Sequence, residues 1–286
     1  MTAAAPTRDP ASRSLARRFL RHRGAVAGVA ILAAVLLIAL FAGLLFPGDP
    51  FDSVGRPFER PFGEHLLGTD LLGLSVAAGI AHGARASLAI GITATLAAML
   101  IGTALGAFSG YLGGRVDYAL MRVTEFFQTI PAFLFAIVLV AILSPSMANL
   151  IIAIALVSWP PIARLVRGEF LAMRAREFVQ ACISVGMSDL RIMFGQILPN
   201  CLAPIIVTGS LMVATAILTE SALAFLGLGD PNVMSWGFMI GAGRTHLRTA
   251  WWLTAIPGIA ILFTVLAINL VGEGLNDALN PRLMQE

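Results

Sequence analysis

The chain has 286 residues, of which 58% are hydrophobic and 12% charged, and its formal net charge is +3. An ordinary soluble domain carries about 25% charged residues, so this composition excludes a water-soluble globule and makes lipid the main solvent. All 19 basic residues are arginine, which excludes a phosphate-binding P-loop lysine or a Schiff-base lysine, and with them an ATP-hydrolysing site in this chain.

Taken in chain order, the first element is basic and then apolar. Arg8, Arg13, Arg17, Arg18, Arg21 and Arg23 precede an apolar run from Gly24 to Phe46. That run exceeds the roughly 7 to 15 residues of a signal-peptide core, and no small-residue cleavage site follows. Residues 1–23 therefore read as a cytoplasmic segment and 24–46 as an uncleaved first span, held by its arginines. Residues 47–83, rich in Pro, Gly and acids, read as extracytoplasmic. Apolar runs of about 20 residues cross a bilayer, and five more follow: Ser87 to Ser109, Glu125 to Leu143, Ala148 to Leu165, Cys201 to Leu226 and Trp251 to Val271. The expected fold is an all-α integral membrane protein of six transmembrane helices.

Charge sets the orientation. Arg115, Arg122, Arg164, Arg167, Arg174, Arg176, Arg191 and Arg282 join the N-terminal six on the inner side, against Arg56, Arg60, Arg244 and Arg248 outside, with Arg85 at a boundary. Both termini are expected in the cytoplasm of a bacterial inner-membrane protein. The transmembrane domain covers 84–273 with a cytoplasmic loop at 167–200, and 274–286 forms a cytoplasmic tail. Gly227 to Ala250 lies outside and ends on Trp251 and Trp252, which suit a membrane interface.

Polar groups within the spans cost about 2.5 to 3.5 kcal/mol for a central charge. Glu125, Gln128, Glu220, Asn269 and Glu273 are therefore expected to face a solute pathway or a protein interface. Gly102, Gly106 and Gly110 make two consecutive GxxxG steps that admit close helix packing. Pro131, Pro160 and Pro161 are candidate kinks. Cys182 and Cys201 form no CxxC, and His22, His65, His82 and His246 are dispersed, so neither a disulfide nor a metal is expected.

The loop REFVQACISVGMSDLRIMFGQILPN, Arg176 to Asn200, holds two helical patterns. Phe178, Ala181, Cys182 and Val185 fall at i, i+3, i+4 and i+7, and Leu190, Met193, Phe194 and Ile197 repeat the spacing. Gly186 between them can take a left-handed turn, Ser188 is placed to cap the second helix, and Asn200 to cap the fifth span. A helical hairpin with an apolar face needs either its own spans or a partner protein to cover that face.

This loop resembles the EAA signature of binding-protein-dependent importer permeases through Gln180, Ala181, Cys182, Gly186, Gln196, Leu198 and Pro199, with Gln180, Cys182 and Gln196 departing from its usual residues. LLGTDLLG (66–73), GARASLAIG (83–91), ESALAFLGLGDPN (220–232), SWG (235–237), WWLTAIPG (251–258) and GEGLNDALNPR (272–282) are similar to the C-type permease subunit of bacterial dipeptide and oligopeptide ATP-binding-cassette importers. That subgroup usually continues LGTDLLG with Arg-Asp, where this chain has Leu74 and Ser75.

The resemblance implies a type I importer permease fold with cytoplasmic coupling helices, and a non-catalytic subunit with no cofactor of its own. Its implied partners are a second homologous permease, two ATPase domains that bind ATP and magnesium, an extracytoplasmic solute-binding protein and membrane lipid; no nucleic acid is implied. Phe178, Gln180, Ala181, Cys182, Val185, Gly186, Leu198 and Pro199 would then contact the ATPase. Peptides are the implied solute, with nickel, haem and glutathione as alternatives. The rival class, a secondary transporter or channel, calls for inverted repeats or a ring of coordinating groups, and the sequence displays neither.

Overall fold

The computed structural model describes residues 19–279, so the expectations resting on Arg8, Arg13, Arg17, Arg18 and Arg282 lie outside the described residues. Helix α1 (Arg23–Leu45) opens on His22, whose Nδ1 accepts the Ala25 N–H at 3.0 Å. Helix α2 (Val76–Leu112) starts at Ser75, whose hydroxyl accepts the Ala78 N–H at 3.3 Å. The span expected at Ser87 to Ser109 is thus the middle of a 37-residue helix, about 55 Å long and longer than the hydrocarbon layer. Correspondingly, the segment expected at 47–83 gives way to helix after Ser75. Gly79, His82, Gly83 and Arg85 dilute the hydropathy of those first turns, but a cap and the absence of proline leave the helix free to form.

The stretch expected as one span from Glu125 to Leu143 is two helices, α3 (Gly114–Thr129) and α4 (Ala132–Leu143), bent by 84°. Pro131 lacks an N–H and forces Ile130 out of the helical region, to φ −89° and ψ 130°. Pro160 and Pro161, in contrast, sit inside α5 (Met147–Arg174), which runs well past the expected end at Leu165. Its first turn is capped by the Ser146 hydroxyl on Asn149 N–H at 3.2 Å and by Asp230 Oδ2 on Met147 N–H at 2.8 Å.

After α5 come a short helix α6 (Glu177–Ser184) and α7 (Asp189–Ile192), which passes through a π-helical turn (Met193–Ile197) into α8 (Leu198–Leu223) and a second π turn (Ala224–Leu228). Asn200 is therefore not a cap. It lies inside a continuous helix and donates to the Gln196 carbonyl at 2.7 Å. Helix α9 (Trp236–Gly243), a 3-10 turn (Arg244–His246) and α10 (Trp252–Leu279) complete the described residues. Among the described residues, helices α1, α2, α5, the run from α7 through α8, and α10 are long and apolar enough to span a membrane, and the bent α3–α4 pair is so only when its two helices are taken together, giving five or six candidate spans. The boundary expected at 273/274 falls inside α10.

In lipid the hydrophobic effect does not drive helices together, so close contact of small residues has to. The packing follows that rule. A Cβ on Gly28 of α1 would lie 2.7 Å from the Ala267 carbonyl of α10, and one on Gly91 of α2 would lie 2.7 Å from Ile217 of α8. Polar fasteners hold the two ends of α1: His22 lies 3.6 Å from Asp277 on α10, while Arg85 of α2 donates to the carbonyls of Ala39 and Leu40.

The segment between α1 and α2 is a compact set of turns around Thr69, which is fully buried. The Thr69 hydroxyl donates to the Arg56 carbonyl at 2.5 Å and accepts the Glu59 N–H at 2.9 Å, and its own carbonyl accepts from Trp252 Nε1 at 3.3 Å. Asp70 Oδ1 accepts the N–H groups of Leu72 and Leu74, both at 2.8 Å. Glu59 accepts the Arg56 N–H at 2.8 Å and pairs with His65 at 2.6 Å, and these contacts hold its carboxyl below the usual range. Leu74 and Ser75, the departures from the usual Arg-Asp, are respectively a buried side chain and the cap of α2.

Candidate functional site

The hairpin of α6 and α7 projects from the ends of α5 and α8. Gly186 turns it, at φ +77°, a conformation that costs a residue with a Cβ roughly 1 to 2 kcal/mol. No atom lies within 4 Å of where a Cβ on Gly186 would stand, so the demand there is on the backbone alone. Ser188 occupies the cap position of α7 with extended backbone but makes no side-chain capping bond. The first turn carries Asp189 instead, a carboxylate that favours a helix N-terminus.

One face of the hairpin is locked down. Val179, Ile192, Met193 and Ile197 are buried in a cluster with Ile162, Val166, Phe170, Tyr111 and Cys201, and Cys182, Met187 and Leu198 pack against it. The expected stripe of Phe178, Ala181, Cys182 and Val185 therefore divides. Cys182 turns inward one helical step from Val179, while Phe178 and Val185 stay 39% and 80% exposed and Ala181 is open beside them. The second stripe divides too, because the π turn rotates Met193 and Ile197 inward and leaves Leu190 and Phe194 at the surface. Gln180 donates to the Arg174 carbonyl at 3.1 Å, satisfying an acceptor left open at the end of α5. Pro199 follows directly on the π turn as the second residue of α8.

Two polar anchors that sequence reading passed over fix the base of this hairpin. Tyr111, in the last turn of α2, donates to Asp189 Oδ1 at 2.8 Å, and the Arg174 guanidinium lies over its ring at 5.8 Å. Asp117, in the first turn of α3, is gripped by Arg167 of α5 through Nε at 2.5 Å and a second guanidinium nitrogen at 2.7 Å, while Ser109 of α2 donates to it at 2.5 Å. Sequence separations of 78 and 50 residues hide both contacts from any local pattern.

The glycine steps lie where α2 crosses α5. A Cβ on Gly102 would stand 2.7 Å from Ile162 and from the Trp159 carbonyl; on Gly106, 2.8 Å from Val166; on Gly110, 2.6 Å from the Arg167 carbonyl and 2.7 Å from Phe170. The intramembrane polar residues scatter. Glu220 is 1% exposed and accepts from Ser235 at 2.8 Å and Ser221 at 3.3 Å, so in this conformation it faces protein. Beside it, Trp236 at the start of α9 donates its N–H to Ser87 and its indole N–H to the Ile80 carbonyl, at 3.1 and 3.0 Å. Glu125 is exposed and pairs with Arg122 at 2.9 Å. Gln128 is half-buried, and Asn269 and Glu273 are exposed on α10. No side-chain hydrogen bond or ion pair joins any two of these five.

Comparison with known proteins fits this arrangement. Residues 102–285 match the family described as binding-protein-dependent transport system inner membrane component, and residues 12–60 match the N-terminal TM domain of oligopeptide transport permease C. The chain is 42% identical to the dipeptide transport system permease protein DppC of Escherichia coli K12, over 93% of this chain and 92% of that one. It is 39% identical to the di/tripeptide permease DppC of Pseudomonas aeruginosa, covering 93% and 90%. With the glutathione transport system permease GsiD of Pectobacterium atrosepticum the identity is 40%, again over 93% and 90%. Among solved structures, a chain of the inward-facing methionine ABC transporter MetNI superposes with a TM-score of 0.57 at 15% identity, covering 68% of this chain and 93% of that one. By these matches, over most of its length and across its glycine-packed core and hairpin, the chain belongs to the binding-protein-dependent transport system inner membrane component family.

Proposed function

We propose that this chain is one of two permease subunits of an ATP-driven importer for short peptides, and that the α6–α7 hairpin is the element on which an ATPase subunit seats. The observation that carries the docking reading is the two-faced hairpin. Val179 and Ile192 fix one face to the spans, while Phe178, Ala181 and Val185 leave an apolar stripe open on the other, the pattern of a helix that lies in a partner's groove. Peptides are favoured because relatives about 40% identical over nearly the whole chain carry di- and tripeptide permease names. The glutathione relative supports a tripeptide-sized solute as the second reading.

In this reading the arginine-rich side bearing the hairpin faces the cytoplasm, and the Thr69 loop and α9 face outside, where a binding protein delivers solute. Topology is tested by placing single cysteines at Asp52 and Asn232 in a chain with Cys182 and Cys201 replaced. Both should react with a membrane-impermeant maleimide in intact cells, and protection of both would reverse the orientation. Catalysis belongs to the partners, since a chain without lysine cannot supply the phosphate-binding lysine of a P-loop. The purified subunit should show no ATPase activity above empty liposomes. Activity that copurifies with the isolated chain and survives its repurification would refute the division of labour. Uptake of tritiated alanyl-alanine by cells carrying the assembled importer tests the solute.

A further inference from the structure

We propose that the Ser109–Asp117–Arg167 junction is the relay that ties movement of the hairpin to the bent α3–α4 span, with Asp117 and Arg167 as its positioning residues. The inference rests on the docking reading of the hairpin. Three observations carry it. First, α5 passes into α6 with only Ala175 and Arg176 between them, so displacement of α6 must act on the last turns of α5. Second, the Arg167 guanidinium in those turns holds Asp117 with two parallel bonds of 2.5 and 2.7 Å, and both side chains are largely shielded, at 35% and 19% exposure. A bidentate Arg–carboxylate pair fixes orientation as well as distance.

Third, α3 has little else to hold it at that end. It joins α2 through Gly113 and Gly114, at φ +69° and +54°, and among its described residues Thr124 is the one buried side chain. A helix on a two-glycine joint, latched to α5 by this ion pair at one end and by the Phe127–Trp159 ring contact at the other, follows the element to which it is tied. Ser109 keeps the carboxylate aimed at Arg167 by donating to the same Oδ1. At its far end α3 meets the 84° break at Ile130 and Pro131, so a shift at Asp117 reorients α4 within the membrane. The Tyr111–Asp189 bond ties α2, the third party at the junction, to the second arm of the hairpin.

The test uses the assembled importer in nanodiscs with its ATPase subunits, second permease and binding protein. Spin labels at Leu171 and Phe126, which are 40% and 67% exposed, report the α5–α3 distance with and without ATP and vanadate. The ratio of ATP hydrolysis with and without binding protein reports coupling. Asp117→Arg and Arg167→Asp, each alone, should broaden the distance distribution and lower that ratio by about two- to thirtyfold, the range expected for disruption of a coupling contact. The double reversal should restore both, and near-wild-type melting temperatures of the single variants separate lost coupling from lost folding. Asp117→Asn, which keeps an acceptor for Ser109, gives a milder loss in the same direction. Unchanged ratios in Asp117→Asn and both reversals, or a double reversal that rescues neither quantity, would overturn the relay. Wild-type retention of the ATPase subunits by Phe178→Ala/Val185→Ala would sink the docking reading itself, whereas unchanged coupling confined to the Asp117 and Arg167 variants would sink the relay alone.

Discussion

Gly106→Val should lower the melting temperature of the detergent-solubilised permease by roughly 2 to 12 °C, the range for an overpacked contact costing about 1 to 3 kcal/mol. A Cβ alone would stand 2.8 Å from Val166 Cβ and 3.0 Å from the Arg167 N–H of α5, besides pressing on the Ala163 carbonyl. Two of those partners are backbone and cannot rotate away. The two helices would have to part, and Gly102 and Gly110 on the same stripe would lose their contacts with Trp159, Ile162 and Phe170. In a bilayer nothing compensates, because lipid is as apolar as the side chains it replaces. Gly258→Ala in α10 is the control: no atom lies within 4 Å of its would-be Cβ, and alanine is the better helix former by about 1 kcal/mol. It should leave the melting point unchanged or raise it. Equal melting points for Gly106→Val and the unaltered chain would show that α2 and α5 do not rely on this approach.

The contrast between those two glycines indicates how far the sequence reaches. The GxxxG spacing at Gly102, Gly106 and Gly110 identified a face of α2, but the partner that fills it, α5, followed only from three-dimensional structure. Apolar runs located the spans because lipid imposes length and hydropathy directly on each segment. Their ends were less legible. Ser75 begins α2 well before its apolar stretch, and Pro131 breaks the third span where Pro160 and Pro161 leave α5 whole. A proline breaks a helix only if neighbouring packing does not hold it, and neighbours are not written locally. The hairpin shows the same limit. Its Gly186 turn was legible because a left-handed residue is a local demand. Which half of each stripe points inward depends on Ile162, Val166 and Phe170, residues of another helix. The Asp117–Arg167 and Tyr111–Asp189 contacts join residues 50 and 78 apart, so each side chain alone reads as an ordinary charge or aromatic at a span boundary.

The exposed half of the hairpin stripe gives the second large effect. Phe178→Ala combined with Val185→Ala should weaken retention of the ATPase subunits by about ten- to a hundredfold while leaving membrane insertion intact. Full burial of one large apolar side chain contributes about 1.5 to 3 kcal/mol, and each 1.4 kcal/mol is tenfold in affinity. Phe178 and Val185, at 39% and 80% exposure, have surface left to bury against a partner. Val179 does not, being fully buried against the permease's own core, so Val179→Ala should loosen the hairpin and lower the melting temperature. Gly186→Val acts by a third route: the space around it is open, and the left-handed backbone alone disfavours the turn that orients α6 against α7. Its expected signature is ATP hydrolysis without solute uptake, since the stripe survives but is misdirected. Insertion is preserved in all of these variants because α6 and its turn stand outside the apolar runs that specify the spans. The measurement is pull-down of the ATPase subunits together with ATP hydrolysed per alanyl-alanine imported. Wild-type retention and wild-type stoichiometry in both Phe178→Ala/Val185→Ala and Gly186→Val would show that the ATPase engages some other surface of the chain.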